Sequence, residues 1–153
     1  MKKLEIGATE LGLLAHMMRK VDFFTPLTVG QLERILPTVM LYSYNKGETV
    51  FSQGQKGDAF YIVYQGSVEI RLRQWLVLSK TIATLKTDDF LGEIALISDE
   101  PRTATVVCAE PTLLFTLISD DFKFVLNENP AAAAEMKHIA ARRKFATSHE
   151  ASS

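Results

Sequence analysis

The sequence predicts a mainly β domain of the α+β class, an antiparallel sandwich or barrel flanked by helices at both ends. Between Thr38 and Ser119 the chain is rich in β-branched and aromatic residues, and glycines interrupt it at short intervals. Outside that region the apolar residues recur every three or four positions, which is typical of helices. The predicted organisation is a helical segment packed on the barrel (1–37), the β region (38–119), C-terminal helices (120–146) and a tail (147–153).

Composition limits the possible functions. The 153 residues are 47% hydrophobic and 23% charged, which is enough for one domain with a sizeable core. The formal net charge of -1 gives no electrostatic basis for binding nucleic acid or an anionic membrane. Since no apolar run is long enough to cross a bilayer, we expect a cytoplasmic chain without direct membrane insertion, either complete or part of a larger protein. The single cysteine, Cys108, is expected to be buried and inert.

The N-terminal segment predicts two helices. Residues Met1–Ala8 are expected to form a loose leader, and the apolar spacing predicts a helix over Thr9–Val21. A second helix is predicted at Val29–Leu36, because Thr28 and Gln31 have the spacing of a capping box.

Alternation of apolar and polar residues locates the strands. In one of them Val68, Ile70 and Leu72 alternate with charged residues, so one face is expected to point to the core. The predicted strands are Val39–Tyr44, Thr49–Ser52, Ala59–Tyr64, Ser67–Arg73, Leu76–Leu85, Thr103–Cys108 and Thr112–Leu117.

Two helices are predicted after the β region. Ser119 is a candidate N-cap for the first, and the acidic residues that follow it suit the positive end of a helix dipole. Asn129 and Pro130 are expected to end this helix and begin the last one, over Pro130–Phe145.

The segment Phe90–Val106 carries the chemistry. It places Gly92 and Glu93 before a short apolar turn, and Arg102 at the start of a strand. An arginine fork fits a phosphate bidentately, a carboxylate accepts a hydrogen bond from a hydroxyl, and glycine permits close approach of the backbone. A cyclic nucleotide offers both a singly charged phosphate and a free 2′-hydroxyl. The alternative is that Glu93 and Arg102 merely pair with each other.

The run from Gly92 to Ile97, followed after a short loop by Pro101 to Val106, closely resembles the phosphate-binding cassette of the cyclic-nucleotide-binding domain family. An upstream glycine-turn pattern from Gly47 to Val68 resembles the same family. The resemblance covers about residues 23–143 and is closest to bacterial cyclic-nucleotide-gated potassium channels, cAMP receptors and kinase regulatory domains. It implies an eight-stranded antiparallel jelly roll and a regulatory rather than enzymatic role.

The resemblance also implies roles for individual residues. Glu93 is expected to hold the ribose hydroxyl and Arg102 the cyclic phosphate, with help from backbone groups nearby, and the final helix is expected to close over the ligand. The full set of candidate ligand-binding residues is Gly92, Glu93, Ile94, Ala95, Arg102, Thr103, Ala104, Ile70, Leu91 and Arg143. Ile70 and Leu91 are expected to form an apolar shelf for the base. No catalytic or metal-binding residue is expected.

Ligand preference and the lid remain open. Family members selective for cGMP often carry threonine after the arginine, as Thr103 does here, but threonine also suits a strand. We expect cAMP as the ligand, with cGMP binding as well. Arg143 shares a helix face with Met136 and Ile139 and is a candidate to stack over the base. Its alternative role is a solvated charge at a helix end.

Three other functions are weighed. A metal-dependent enzyme on this scaffold would need histidines on strands, but all three lie on predicted helices or the tail. A DNA-binding regulator would need a further module, for which only about ten residues follow the last helix. The remaining alternative is a docking or oligomerisation domain that has lost its ligand. For a sensor, the expected partner is an effector protein, such as a channel, a kinase or a second copy.

Overall fold

The computed structural model describes the backbone of residues 1–74 and 78–152 and the side chains of residues 1–73 and 79–142. In this part of the chain, nine strands form two antiparallel sheets. The strands are β1 (Lys2–Leu4), β2 (Met40–Tyr44), β3 (Thr49–Phe51), β4 (Ala59–Gln65), β5 (Ser67–Gln74), β6 (Leu78–Lys86), β7 (Phe90–Leu91), β8 (Thr105–Cys108) and β9 (Thr112–Ile118). One sheet has the order β1-β2-β9-β4-β7 and the other β3-β8-β5-β6.

Helices lie before and after the sheets. Thr28 and Gln31 form the expected capping box at the start of the second helix, with Gln31 N donating to Thr28 Oγ1 at 3.1 Å. The helices are α1 (Ala8–Lys20), α2 (Val29–Ile35), α3 (Ser119–Leu126) and α4 (Pro130–Ser152), with short 3-10 helices at Asp22–Phe24, Leu36–Thr38 and Glu93–Leu96.

Strand β4 separates two apolar clusters, because successive side chains of a strand point to opposite faces. Tyr61 and Val63 point into the space between the sheets, where they meet residues such as Val68 and Val106. Phe60, like Ile62, points outward and packs with the helices. Strand β4 is therefore buried on both faces, and the site described below lies on the inner one.

The jelly-roll expectation is confirmed, with one strand more than expected. Residues 2–4, predicted as part of a loose leader, form β1, which pairs antiparallel with β2. These residues show no alternation of apolar and polar side chains, and the pairing comes from an available edge of the sheet. Strand β7 was not predicted because it contains two residues.

Other boundaries differ modestly from expectation. Ser119 is not the N-cap of α3 but its first residue, and Ile118 precedes it in extended conformation. Helix α4 continues to Ser152, although a tail was expected after residue 146. The predicted strand at Leu76–Leu85 begins at Leu78 in the described residues, and Leu76 lies outside them. None of the helices within the described residues is both long and apolar enough to span a membrane.

Candidate functional site

A tight turn presents the acidic residue of the cassette. Gly92 follows β7 in the left-handed region, with φ 81°, and begins the 3-10 helix Glu93–Leu96. A Cβ at Gly92 would lie 2.9 Å from Arg102 Nη1 and 3.0 Å from Ala59 O. This position therefore requires glycine both for its backbone angles and for space. Glu93 next to it is 7% exposed, which is unusual for a carboxylate.

The main chain of Arg102 is held by the glycine turn that follows β3. Arg102 N donates to Gln55 O at 2.7 Å, and Gly54 N donates to Arg102 O at 2.8 Å. Lys56 and Pro101 form an isolated antiparallel bridge beside them. The turn and the arginine are thus joined like two short strands, although nearly fifty residues separate them in sequence.

The guanidinium of Arg102 is buried, with 7% of the residue exposed. Nη2 donates to Ala59 O at 2.8 Å, and Nη1 lies 3.5 Å from Gly92 O. Nη2 also lies 3.8 Å from a carboxylate oxygen of Asp58, which is itself mostly exposed. Within the described residues Arg102 Nε has no hydrogen-bond partner. A buried charged donor without an acceptor is costly, so this atom marks a place where an anion would be stabilised.

Two aromatic rings form the wall behind Arg102. Its Cζ lies 4.0 Å from the ring centroid of Phe51 and 5.9 Å from that of Tyr61. The two rings stack on each other, with centroids 5.8 Å apart and planes inclined by 28°. Because the rings present their negative faces, they partly compensate the loss of hydration of the cation.

The electrostatics of the site follow from burial. Loss of hydration lowers the pKa of Arg102 from its ordinary value, while Tyr61, Asp58 and Glu93 act in the opposite direction. The guanidinium still remains charged at every physiological pH. Burial likewise raises the pKa of Tyr61, and the nearby Arg102 opposes that shift. The site is therefore a fixed positive charge in a poorly hydrated place, close to one buried carboxylate.

Four of the predicted site residues, Gly92, Glu93, Ala95 and Arg102, come together in the structure. Arg102 lies against Gly92. Gly57 lies against both Ala95 and Arg102, since a Cβ at Gly57 would lie 3.0 Å from Ala95 Cβ and 3.5 Å from Arg102 Cζ. Ala95 N donates to Gly92 O at 3.1 Å, so this amide is used within the turn itself. Leu91 and Ala104 are buried, Ile70 is half-buried and Thr103 is exposed. Ile94, also predicted to bind the ligand, instead packs against the helical cluster.

The described side chains of α4, the expected lid helix, pack against other helices. Helix α4 contacts the 3-10 helix Asp22–Phe24 and α3. Met136 is fully buried in this helical cluster and Ile139 is partly buried against it. Met136 was predicted to share a helix face with Ile139 and Arg143, and in the structure this residue belongs to the core. The side chain of Arg143 lies outside the described residues.

Sequence reasoning missed the residues that support Arg102. Phe51, Asp58, Ala59 and Tyr61 all come from β3, β4 or the turn between them. The sequence contained one signal, the glycines at 54 and 57, which marked a tight turn. Nothing in the spacing indicated that this turn pairs with Pro101 and Arg102 rather than with a neighbour in sequence.

The comparisons with known proteins agree with this geometry. The profile of the Cyclic nucleotide-binding domain family matches residues 41–129, more than half of the chain. A cAMP-dependent protein kinase regulatory subunit of Yarrowia lipolytica is 40% identical over 109 residues, and a protein of Rhodopseudomonas palustris described as a potassium channel is 30% identical over 123. These regions cover 71% and 80% of this chain but only 28% and 29% of the relatives, so the chain spans less than a third of their length.

A solved structure shares the fold. The regulatory domain of Toxoplasma gondii PKA, crystallised with cAMP, superposes with a TM-score of 0.73 at 20% sequence identity. The superposition covers 88% of this chain and 51% of that one. The family profile, which spans most of the β region and the cassette, establishes that this chain belongs to the cyclic nucleotide-binding domain family.

Proposed function

We propose that this chain is a cyclic-nucleotide sensor that binds cAMP, and cGMP as well, through Arg102 and Glu93. The observation that carries the proposal is the buried Arg102, whose Nε has no acceptor in the described residues, beside the buried Glu93. A cyclic phosphate supplies the missing acceptor and neutralises the charge. The names of the relatives, which include a cAMP-dependent kinase regulatory subunit, support the same ligand class.

The two charged residues divide the recognition of the ligand between them. Arg102 offers donors to the singly charged phosphate, and burial strengthens this contact because water does not compete for it. Glu93 accepts the hydrogen bond of the ribose 2′-hydroxyl. The apolar side chains of Ile70 and Leu91 line the space between the sheets, where they provide a surface for the base. The hydroxyl of the exposed Thr103 is available to a guanine and accounts for the binding of cGMP.

The ligand signal travels from the cassette to the helices. The 3-10 helix Glu93–Leu96 contacts α3, and Leu96 is fully buried among the helices. A shift of this turn when the phosphate binds therefore changes how α3 and α4 pack. A ligand changes this equilibrium only by its differential affinity for the two arrangements. The helices then act on an effector protein, and α4, with Arg143, closes over the base.

Titration calorimetry with Arg102→Ala tests the proposal. Truncating one partner of a buried charge pair costs about 2 kcal/mol or more, so we expect at least a tenfold loss of cAMP affinity. The exposed Arg19→Ala serves as the matched control and should bind normally. In thermal melts, cAMP at 100 times its Kd should stabilise the parent by about 2.7 kcal/mol. For a domain of this size that is roughly 5–11 °C.

A second variant tests the role of Glu93. Glu93→Gln should reduce the preference for cAMP over its 2′-deoxy analogue, because the carboxylate is the stronger acceptor. Equal affinities of the unmutated protein for the two ligands would remove Glu93 from this role. No binding of either nucleotide at millimolar concentration would contradict the proposal and favour a docking domain.

A further inference from the structure

The ring of Phe51 lies against the guanidinium of Arg102. Phe51 is the last residue of β3, half-buried, and its ring centroid lies 4.0 Å from Arg102 Cζ. Its other neighbour is Tyr61, whose ring stacks on it at 5.8 Å. The Phe51 ring therefore contacts both a cation and a second ring, and its own orientation is restricted.

The hydrogen bonds of Arg102 do not by themselves fix the plane of its guanidinium. Its hydrogen bonds to Ala59 O and Gly92 O hold the two terminal nitrogens at their edges. Edge contacts alone let the guanidinium tilt about the line that joins them. A ring at 4.0 Å from Cζ opposes that tilt, because an arginine over an aromatic face is attracted to it most strongly when it is desolvated.

The same short segment fixes both parts of the arginine. Gln55 O and Gly54 N bind its main chain at 2.7 and 2.8 Å, while Phe51 covers its side chain. Strand β3 pairs with β8, so Phe51 lies opposite Val106, four residues after Arg102. The position of the ring relative to the guanidinium is thus set by sheet pairing rather than by a flexible loop.

We infer that Phe51 is a positioning residue for Arg102: its ring fixes the plane of the guanidinium and so sets the affinity for the anionic group of the ligand. Phe51 does this through the arginine and not by touching the phosphate. The inference rests on the proposed function as far as the ligand is concerned. The fixed guanidinium itself does not depend on the ligand.

The test compares Phe51→Leu with Phe51→Tyr, which restores the ring, and with Tyr64→Leu as matched control. Tyr64 is a half-buried aromatic whose ring packs on Phe115 at 4.9 Å, on the helical side. Calorimetry with cAMP should give about 2- to 30-fold weaker binding for Phe51→Leu, the range that a partly or fully desolvated cation–π contact covers. Phe51→Tyr and Tyr64→Leu should stay within about twofold of the parent.

Two further measurements separate positioning from packing. In an Arg102→Gln background, measured at millimolar cAMP, Phe51→Leu should have no further effect on affinity, since the residue acts through the arginine. The Nε–H proton signal of Arg102, identified by its loss in Arg102→Gln, should move downfield in Phe51→Leu because the ring current is removed. It should keep its position in Tyr64→Leu.

Parent-like affinity of Phe51→Leu would overturn the inference, as would an equal loss in the Arg102→Gln background. Failure of the unmutated protein to bind either cyclic nucleotide would overturn the proposed function. The Nε–H signal, which needs no ligand, then decides alone whether the Phe51 ring covers the guanidinium, and an unmoved signal overturns the inference too.

Discussion

The cassette end of the barrel and the helical layer are held together by different forces. At the cassette, Arg102 is 7% exposed and its main chain is bound on both sides at 2.7 and 2.8 Å. In the helical layer, apolar contacts of residues such as Met136 and Phe24 dominate. The ion pairs there, Arg34 with Glu128 and Lys123 with Asp99, lie at the surface.

This difference indicates which part is rigid and which part moves. Hydrogen bonds between backbone groups allow one register, so Arg102 and the glycine turn that binds its main chain keep their arrangement when the 3-10 helix Glu93–Leu96 and the helices shift. Apolar packing between helices allows small sliding motions at little cost. Exposed ion pairs contribute little to stability and break readily. In the proposed function, the rigid region therefore recognises the ligand and the helical layer reports it.

The largest expected effect comes from closing the space at Gly92. Gly92→Ala forces a side chain into the left-handed region, which costs roughly 1–2 kcal/mol, and crowds Arg102 Nη1 and Ala59 O, for roughly 1–3 kcal/mol more. We expect the free energy of unfolding to fall by about 2–5 kcal/mol, measured by urea denaturation. Binding of cAMP should weaken in parallel, because the guanidinium is displaced.

Gly12→Ala is the matched control. Gly12 lies in α1, and a Cβ there would have no atom within 4 Å. This change should leave stability unchanged or raise it by about 0.5–1 kcal/mol, as expected for alanine in a helix. Equal effects of the two substitutions would show that the cassette is as adaptable as the helical layer and would contradict its rigidity.

The cassette was predictable because its functional groups are close together in sequence. Gly92 and Glu93 sit on one turn, and Arg102 follows within ten residues. Local spacing of this kind carries chemical information directly. The strands were predictable for a similar reason, since alternation such as that of Val68, Ile70 and Leu72 is a local pattern.

The remaining features depend on contacts between distant segments. The ring of Phe51 meets Arg102 only because β3 pairs with β8. Strand β1 forms only because β2 offers an edge, and Lys2–Leu4 carries no strand pattern of its own. Helical spacing showed that Met136, Ile139 and Arg143 share a face of α4, but not that Met136 packs in the core.

A smaller effect is expected where α4 joins α2. Asn129 Oδ1 accepts from Ala132 N at 3.1 Å as the cap of α4, and Asn129 Nδ2 donates to Gln31 Oε1 at 3.2 Å. Asn129→Ala should cost about 1 kcal/mol in urea denaturation, as loss of a cap does. Asn129→Asp keeps the capping oxygen, removes the donor and adds a negative charge that suits the start of a helix, so it should restore most of that loss. A full loss in Asn129→Asp would instead show that the link to α2 is the stronger of the two.

The smallest expected effect is that of the ion pair between Arg34 and Glu128, whose second contact, Nη2 to Oε1, is 2.9 Å. The hydrogen bond from Arg34 holds the pKa of Glu128 below its usual 4.5. A carboxylate with a lowered folded-state pKa stabilises the protein above its unfolded pKa, and this contribution is lost as pH falls through the folded pKa. The urea midpoint of Glu128→Gln should therefore lie slightly below that of the parent at pH 7. The difference should shrink below pH 4.5 and at 1 M salt.

Glu33→Gln is the control, because Glu33 forms no ion pair within the described residues. A difference that persists in acid would mean that Glu128 acts through packing rather than charge. The surface of the helical layer would then be less free to rearrange than its exposed ion pairs indicate.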